Sequence, residues 1–106
     1  MNPIDALAAA KFNPDKLGKI NLYDSARMFL DVFGLEPGQA QKIHKHDDAD
    51  KVYFALEGEG TVTIGDREMR LAKGLVAVCP AGLDHGVKNT STARLVLLVM
   101  MTKAAP

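Results

Sequence analysis

The sequence predicts an all-β fold, a sandwich or barrel preceded by one short helix. Three observations carry this. Gly or Pro recurs every several residues, the stretches between them are rich in strand formers, and no segment after the first dozen residues shows a helical period.

The elements follow in order. Asn2-Pro3 followed by IDALAAA reads as the helix, with Asn2 as its cap and Pro3 at its first position. Phe12-Asn13-Pro14-Asp15 ends it. Lys19–Tyr23 is a short strand. Arg27–Leu35 is a longer one, with Met28, Leu30 and Val32 on one face and Phe29 and Phe33 on the other. Pro37-Gly38 turns the chain. Gln39–His46 then alternates, which puts Ala40, Lys42, His44 and His46 on one face. Val52–Glu57 follows, and Gly58-Glu59-Gly60 makes a tight connection. Thr61–Ile64 and Arg67–Leu71 flank Gly65-Asp66, a two-residue hairpin signal. Leu75–Cys79 is apolar and ends at Pro80-Ala81-Gly82. Gly86–Lys88 is short. Ala93–Met101 is apolar on both faces, as in a strand buried on both. Lys103–Pro106 reads as a frayed tail.

Composition narrows the classes. The 106 residues suit one domain spanning 1–106, with 1–18 as an N-terminal extension. A chain of this size buries roughly 60–70% of its unfolded surface, so it holds a core without disulfides. Its one cysteine, Cys79, sits in an apolar run and reads as a small buried hydrophobe. Acids and bases balance at 13 each, which argues against a nucleic-acid or anionic-membrane partner. Residues 1–10 carry Asp5 and lack a basic leader, so a cytoplasmic protein is expected. Residues 26–35 and 93–102 carry more apolar surface than one barrel interior takes. The excess must pack on the second sheet, the N-terminal segment or another subunit, and a homodimer is expected.

The three histidines carry the chemistry. His44 and His46, two apart on a strand, present two imidazoles to one point. Neutral imidazole is a ligand for zinc, copper, iron and nickel. Two surface histidines among acids would read the same way. His85, after the turn Pro80–Asp84, makes the set more pointed, although spacing alone does not bring it to the other two.

Two longer patterns enclose these residues. "GQAQKIHKHDDADKVYFALEG", Gly38 to Gly58, resembles the first motif of the cupins: a glycine, five residues, HxH, three or four residues, a glutamate, six residues and a glycine. "GLVAVCPAGLDHGVKN", Gly74 to Asn89, resembles the second, and every fixed position matches. The resemblance implies a cupin double-stranded β-helix, or jelly roll. It implies that His44, His46 and His85 converge inside the barrel on a divalent transition metal such as Fe, Mn, Zn, Ni or Cu. In the family the motif glutamate completes the ligand set, and here Lys51 stands in that place.

Strand parity sharpens the departure. Lys51, Tyr53, Ala55 and Glu57 share one face, and the family register turns that face inward. A one-residue bulge would bring Asp50 in instead. An ammonium has no lone pair for a metal. Three outcomes stay open. The centre holds metal with three histidines and water; or burial and the metal deprotonate Lys51; or no metal binds and Lys51 anchors an anion. A paired Lys51 would find Glu57, Asp48 or a bound acidic substrate, and an unpaired one would be a solvated rim lysine. Tyr53 either lines the pocket or is a core tyrosine whose hydroxyl reaches water. Lys51 and Tyr53 are the catalytic candidates. Gly74, Gly82 and Asn89 are expected to serve turns.

Two functions follow. One is a metal-dependent enzyme, similar to the three-histidine cupin dioxygenases that act on diketones or thiols. The other is a non-enzymatic cupin that binds or senses a small ligand. Isomerase or epimerase chemistry on a sugar nucleotide fits less well, because the histidines it would use are already in the metal motif.

Overall fold

The computed structural model describes residues 1–103. The elements are α1 (Ala6–Ala9), β1 (Gly18–Asp24), β2 (Met28–Leu35), β3 (Ala40–Lys45), β4 (Lys51–Glu57), β5 (Glu59–Ile64), β6 (Arg67–Ala72), β7 (Val76–Cys79), β8 (Asp84–Lys88) and β9 (Leu95–Thr102). Strand bounds differ from expectation by a residue or two. The helix is shorter, and its cap is Asp5 rather than Asn2: the Asp5 carboxylate accepts the Ala8 N–H at 3.0 Å. Lys103 is tied down, its N–H donating to the Arg27 carbonyl and its ammonium to Asp24. The rest of the expected tail lies outside the described residues.

All strand pairs are antiparallel and form two sheets. One runs β1-β2-β9-β4-β7, the other β3-β8-β5-β6. This is a jelly roll. The chain leaves the first sheet for the second at Gly58, which has a φ of 78° and passes so close to Arg94 that a Cβ would lie 2.3 Å from its carbonyl oxygen. Only glycine serves this corner. At the expected hairpin Gly65 has a φ of 62° and Asp66 is not left-handed, the pattern of a type II′ turn.

The core lies between the sheets. Phe33, Leu35, Tyr53, Ala55, Leu95, Leu97 and Val99 come from the first, and Val62, Leu71 and Val87 from the second. β9 is central in its sheet, which explains a run that is apolar on both faces. Its outer face and that of β2 are covered partly from within. The backbone of Lys11 crosses the facing pair Gly18 and Gly34, where a Cβ would lie 2.1 or 2.2 Å from the Lys11 carbonyl oxygen. The N-terminal segment thus takes up part of the apolar excess. Val76 and Val78 on the edge strand β7 keep 56% and 55% of their surface exposed. No helix among the described residues is long and apolar enough to cross a membrane.

Candidate metal centre

β3 and β8 bring the histidines together. His44 and His85 are direct partners across this ladder, and His46 follows just past the end of β3. Ring centroids are 4.3 Å apart for His44–His85, 4.9 Å for His44–His46 and 5.5 Å for His46–His85. One ring nitrogen from each lies within 4.8 Å of the others.

Two of the rings are oriented by the backbone. His44 Nδ1 lies 2.6 Å from the Lys42 carbonyl oxygen, and His85 Nδ1 lies 3.2 Å from that of Leu83. A carbonyl only accepts, so each Nδ1 carries the proton and each Nε2 keeps its lone pair. His85 is 1% exposed, and its Nε2 is the one buried side-chain polar atom among the described residues without a partner. An orphaned buried acceptor is costly unless something binds it. Burial pushes the His46 and His85 pKa values down, and neighbouring histidines and Lys51 add to this. Asp48 opposes it at His46, and the Leu83 carbonyl at His85. Both rings are therefore poised as neutral donors, the form a metal requires. The donor set fits a divalent transition ion.

The turn before His85 is fastened to the first motif. Gly82, with a φ of 87°, donates its N–H to the His46 carbonyl at 2.8 Å. The Asp50 carboxylate accepts the Ala81 N–H at 2.9 Å. Asp50 is exposed and committed to this turn, so the bulge that would have swung it inward does not occur. Lys51 points inward and is 3% exposed.

Lys51 departs from two expectations. It pairs with neither Glu57 nor Asp48, both of which are exposed, and it is no rim residue. Its Nζ donates to Gln41 Oε1 at 2.7 Å. The same oxygen accepts the Tyr53 hydroxyl at 2.5 Å. Tyr53 is fully buried, so its hydroxyl does not reach water, and its ring lies 6.4 Å from that of His85. Burial, then nearby Lys19, brings the Lys51 pKa down to about 8, against the opposing pull of Cys79 and Asp31. Burial also raises the Tyr53 phenol, and it lifts the Cys79 thiol to about 11.

Gln41 escapes strict alternation, which would place Lys42 on the histidine face. β3 takes three steps from Gln41 to His44 while β8 takes two from Val87 to His85. The extra residue is a bulge, and it brings Gln41 onto the inner face and turns Lys42 and Ile43 outward. Gly86 lies beneath it, where a Cβ would meet the Gln41 carbonyl oxygen at 2.9 Å and the Ile43 nitrogen at 3.0 Å. A glycine inside a strand is the sequence signal for such a bulge.

Comparison with known proteins agrees with this architecture. Residues 31–101 match the family model described as a cupin domain. The chain belongs to the cupin family. A crystal structure of TT1209 from Thermus thermophilus superposes with a TM-score of 0.94 at 46% identity, covering 99% of this chain and all of that one. An RmlC-like cupin from Desulfovibrio desulfuricans gives a TM-score of 0.84 at 25% identity, over 96% of each chain. In sequence, this cupin is 28% identical to an oxalate-binding protein of Thermotoga maritima over 85 residues, which are 80% of this chain and 69% of that protein.

Proposed function

We propose that this cupin is a metal-dependent enzyme that holds a small oxygen-donor molecule at a centre of His44, His46 and His85. The observation that carries the reading is the buried, unpartnered Nε2 of His85 beside two further imidazoles. A bound divalent ion would supply Lewis acidity toward a chelating oxygen ligand, and dioxygen chemistry if the ion is iron. Three neutral ligands leave its charge undiminished and leave coordination positions free for the ligand. The protein's part is positional. The Lys42 and Leu83 carbonyls hold two rings in the donor tautomer, and the Asp50–Ala81 bond holds the turn that delivers His85. Tyr53 spends its one O–H on Gln41, which fixes that side chain in the dry wall near His85.

A second reading is a binding protein without turnover, and the name of the Thermotoga maritima relative favours it. Elemental analysis of protein purified without chelator tests what the two share. We expect about one transition-metal ion per chain, lost in His85→Ala. Absence of metal from both would remove the metal centre. Oxygen uptake by the iron-loaded protein with small diketones, thiols and phenols separates enzyme from binder, and no turnover leaves the binder. The homodimer belongs to the same proposal and draws on the exposed Val76 and Val78; a monomer in gel filtration would refute it.

A further inference from the structure

The sheet that faces the histidines carries two lysines on its inner side. Lys19 on β1 pairs in register with Phe33 on β2, and its Nζ lies 5.3 Å from the centre of the Phe33 ring. The Lys51 Nζ lies 5.9 Å from the same centre. One buried aromatic ring thus stands beside both side chains, Lys51 buried and Lys19 exposed at the rim. Like charges brought together in a partly dry space repel, and that repulsion is relieved when an anion joins them.

Neither lysine has such an anion in the protein. The ion pairs formed among the described residues all lie elsewhere, at Lys45–Asp47, Arg70–Glu59, Arg94–Glu36 and Lys103–Asp24. Asp31, on the same face of β2 as Phe33, is near enough to pull on Lys51 but forms no ion pair with either lysine, and its carboxylate accepts from Asn21 Nδ2 at 2.8 Å. An ammonium has three donors, and Lys51 spends one, on Gln41. At 3% exposure Lys51 is largely withdrawn from bulk water.

This wall adjoins open space at Lys19 and Gln41. A cleft of about 710 Å³ opens between the segment 15–19 and the start of β3. Lys16, Lys19 and Lys42 line it against a single carboxylate, Asp15. In a chain with no net charge this is a local cationic field, the kind that draws small anions. Gln41 belongs to the same lining, so the residue that holds Lys51 and Tyr53 also faces the cleft.

We propose that Lys19 and Lys51, beside Phe33, form a carboxylate-binding subsite entered through this cleft, and that the ligand of the centre is a small organic acid. The proposal rests on the metal-centre reading for the far end of the ligand only. At the acid end, Lys51 exchanges or shares its Gln41 contact for a charge-assisted bond to the carboxylate, with Lys19 as the second cation.

The test is NMR titration of the full chain, zinc-loaded and metal-stripped, with malonate and with its neutral analogue malonamide. Malonate should shift the side-chain signals of Lys19, Lys51 and Gln41 in both forms, and malonamide should not. In the metal-stripped form, Lys51→Met should weaken malonate about tenfold and Lys19→Met about threefold, while Lys51→Arg keeps most of the affinity. Should Lys51→Met fail to fold, Lys19→Met and Lys51→Arg still decide the matter. The subsite is overturned if malonate shifts none of these signals, if malonamide binds as well, or if the lysine variants bind malonate like the parent. Zinc uptake is measured in parallel. A chain that takes up no zinc yet binds malonate through its lysines loses the metal centre and keeps the subsite.

Discussion

The successive strands β7 and β8 and the successive strands β3 and β4 both deliver histidine-bearing motifs, and they are held in different ways. Around β7–β8 the fixed residues serve the backbone. Gly74 and Gly82 each have a φ of 87°, and Gly82 ties the turn to His46. Asn89 is fully buried, with its amide donating to the Leu35 and Ala93 carbonyls and its oxygen accepting the Ser91 N–H and hydroxyl. Around β3–β4 a bulge turns Gln41 inward, and a lysine stands where the motif has its glutamate. The conforming half fixes where His85 goes. The departing half sets what chemistry meets it. A motif residue held by backbone geometry has few replacements, whereas one held only by the ligand changes when the ligand does.

Asn89→Ala should break the conforming half with the largest effect. It leaves the buried Leu35 carbonyl without its donor and takes one of two donors from the Ala93 carbonyl, and we expect a loss of about 2 kcal/mol in urea unfolding. A midpoint close to the parent's would mean that Ser91 and its neighbours re-form the turn unaided.

Lys51→Glu sharpens the contrast by returning the family's acid to the departing half. It removes an ammonium that repels a dication and adds a carboxylate that can ligate it. Zinc affinity, measured against a competing chelator, should tighten about tenfold, or about 1.4 kcal/mol. Unchanged affinity would place residue 51 out of reach of the ion.

The smallest expected effect is the pH dependence of metal-free stability. The folded Lys51 pKa of about 8 lies below its ordinary 10.5, so above pH 8 the unfolded chain binds more protons and stability rises with pH. From pH 9 upward the opposite trend sets in, because the Cys79 thiol titrates near 9.0 unfolded but about 11 folded, and the Tyr53 phenol is raised as well. Stability should therefore climb by less than about 1.4 kcal/mol between pH 8 and 9 and then fall. Lys51→Met should lose the climb and keep the fall. A parent curve that is flat across this window would mean that Lys51 is better solvated than its burial implies. On the acid side, His46 and His85 have folded pKa values below 6.5, so stability is full above that value and declines as pH falls through it.

Much of this was legible because strands write their geometry locally. Glycine and proline marked the corners, Gly65-Asp66 marked a hairpin, and the two motifs marked a jelly roll. Parity put Lys51 and Tyr53 on one face, the family register turned that face inward, and β4 alternates without interruption from Lys51 to Ala55. The same rule misled on β3, where the bulge exchanged Lys42 for Gln41, although Gly86 on the partner strand held the clue. Lys51's partner was sought among acids close by in the chain, and it proved to be an amide from a strand of the other sheet. Lys19 drew no attention, because nothing near it in sequence says that Phe33 stands beside it and Lys51 beyond.

The sequence by itself determined the succession of strands along the chain, which residues of β4 share a face and the three imidazoles, since these depend on residue type, period and spacing. Only the tertiary structure decided that His44 lies across from His85, that Asp50 serves a turn while Lys51 turns inward, and that Gln41, Tyr53, Lys51 and Lys19 form one polar wall. The physical reason is that period fixes which face a side chain takes, while register between strands and contact between sheets fix what it meets.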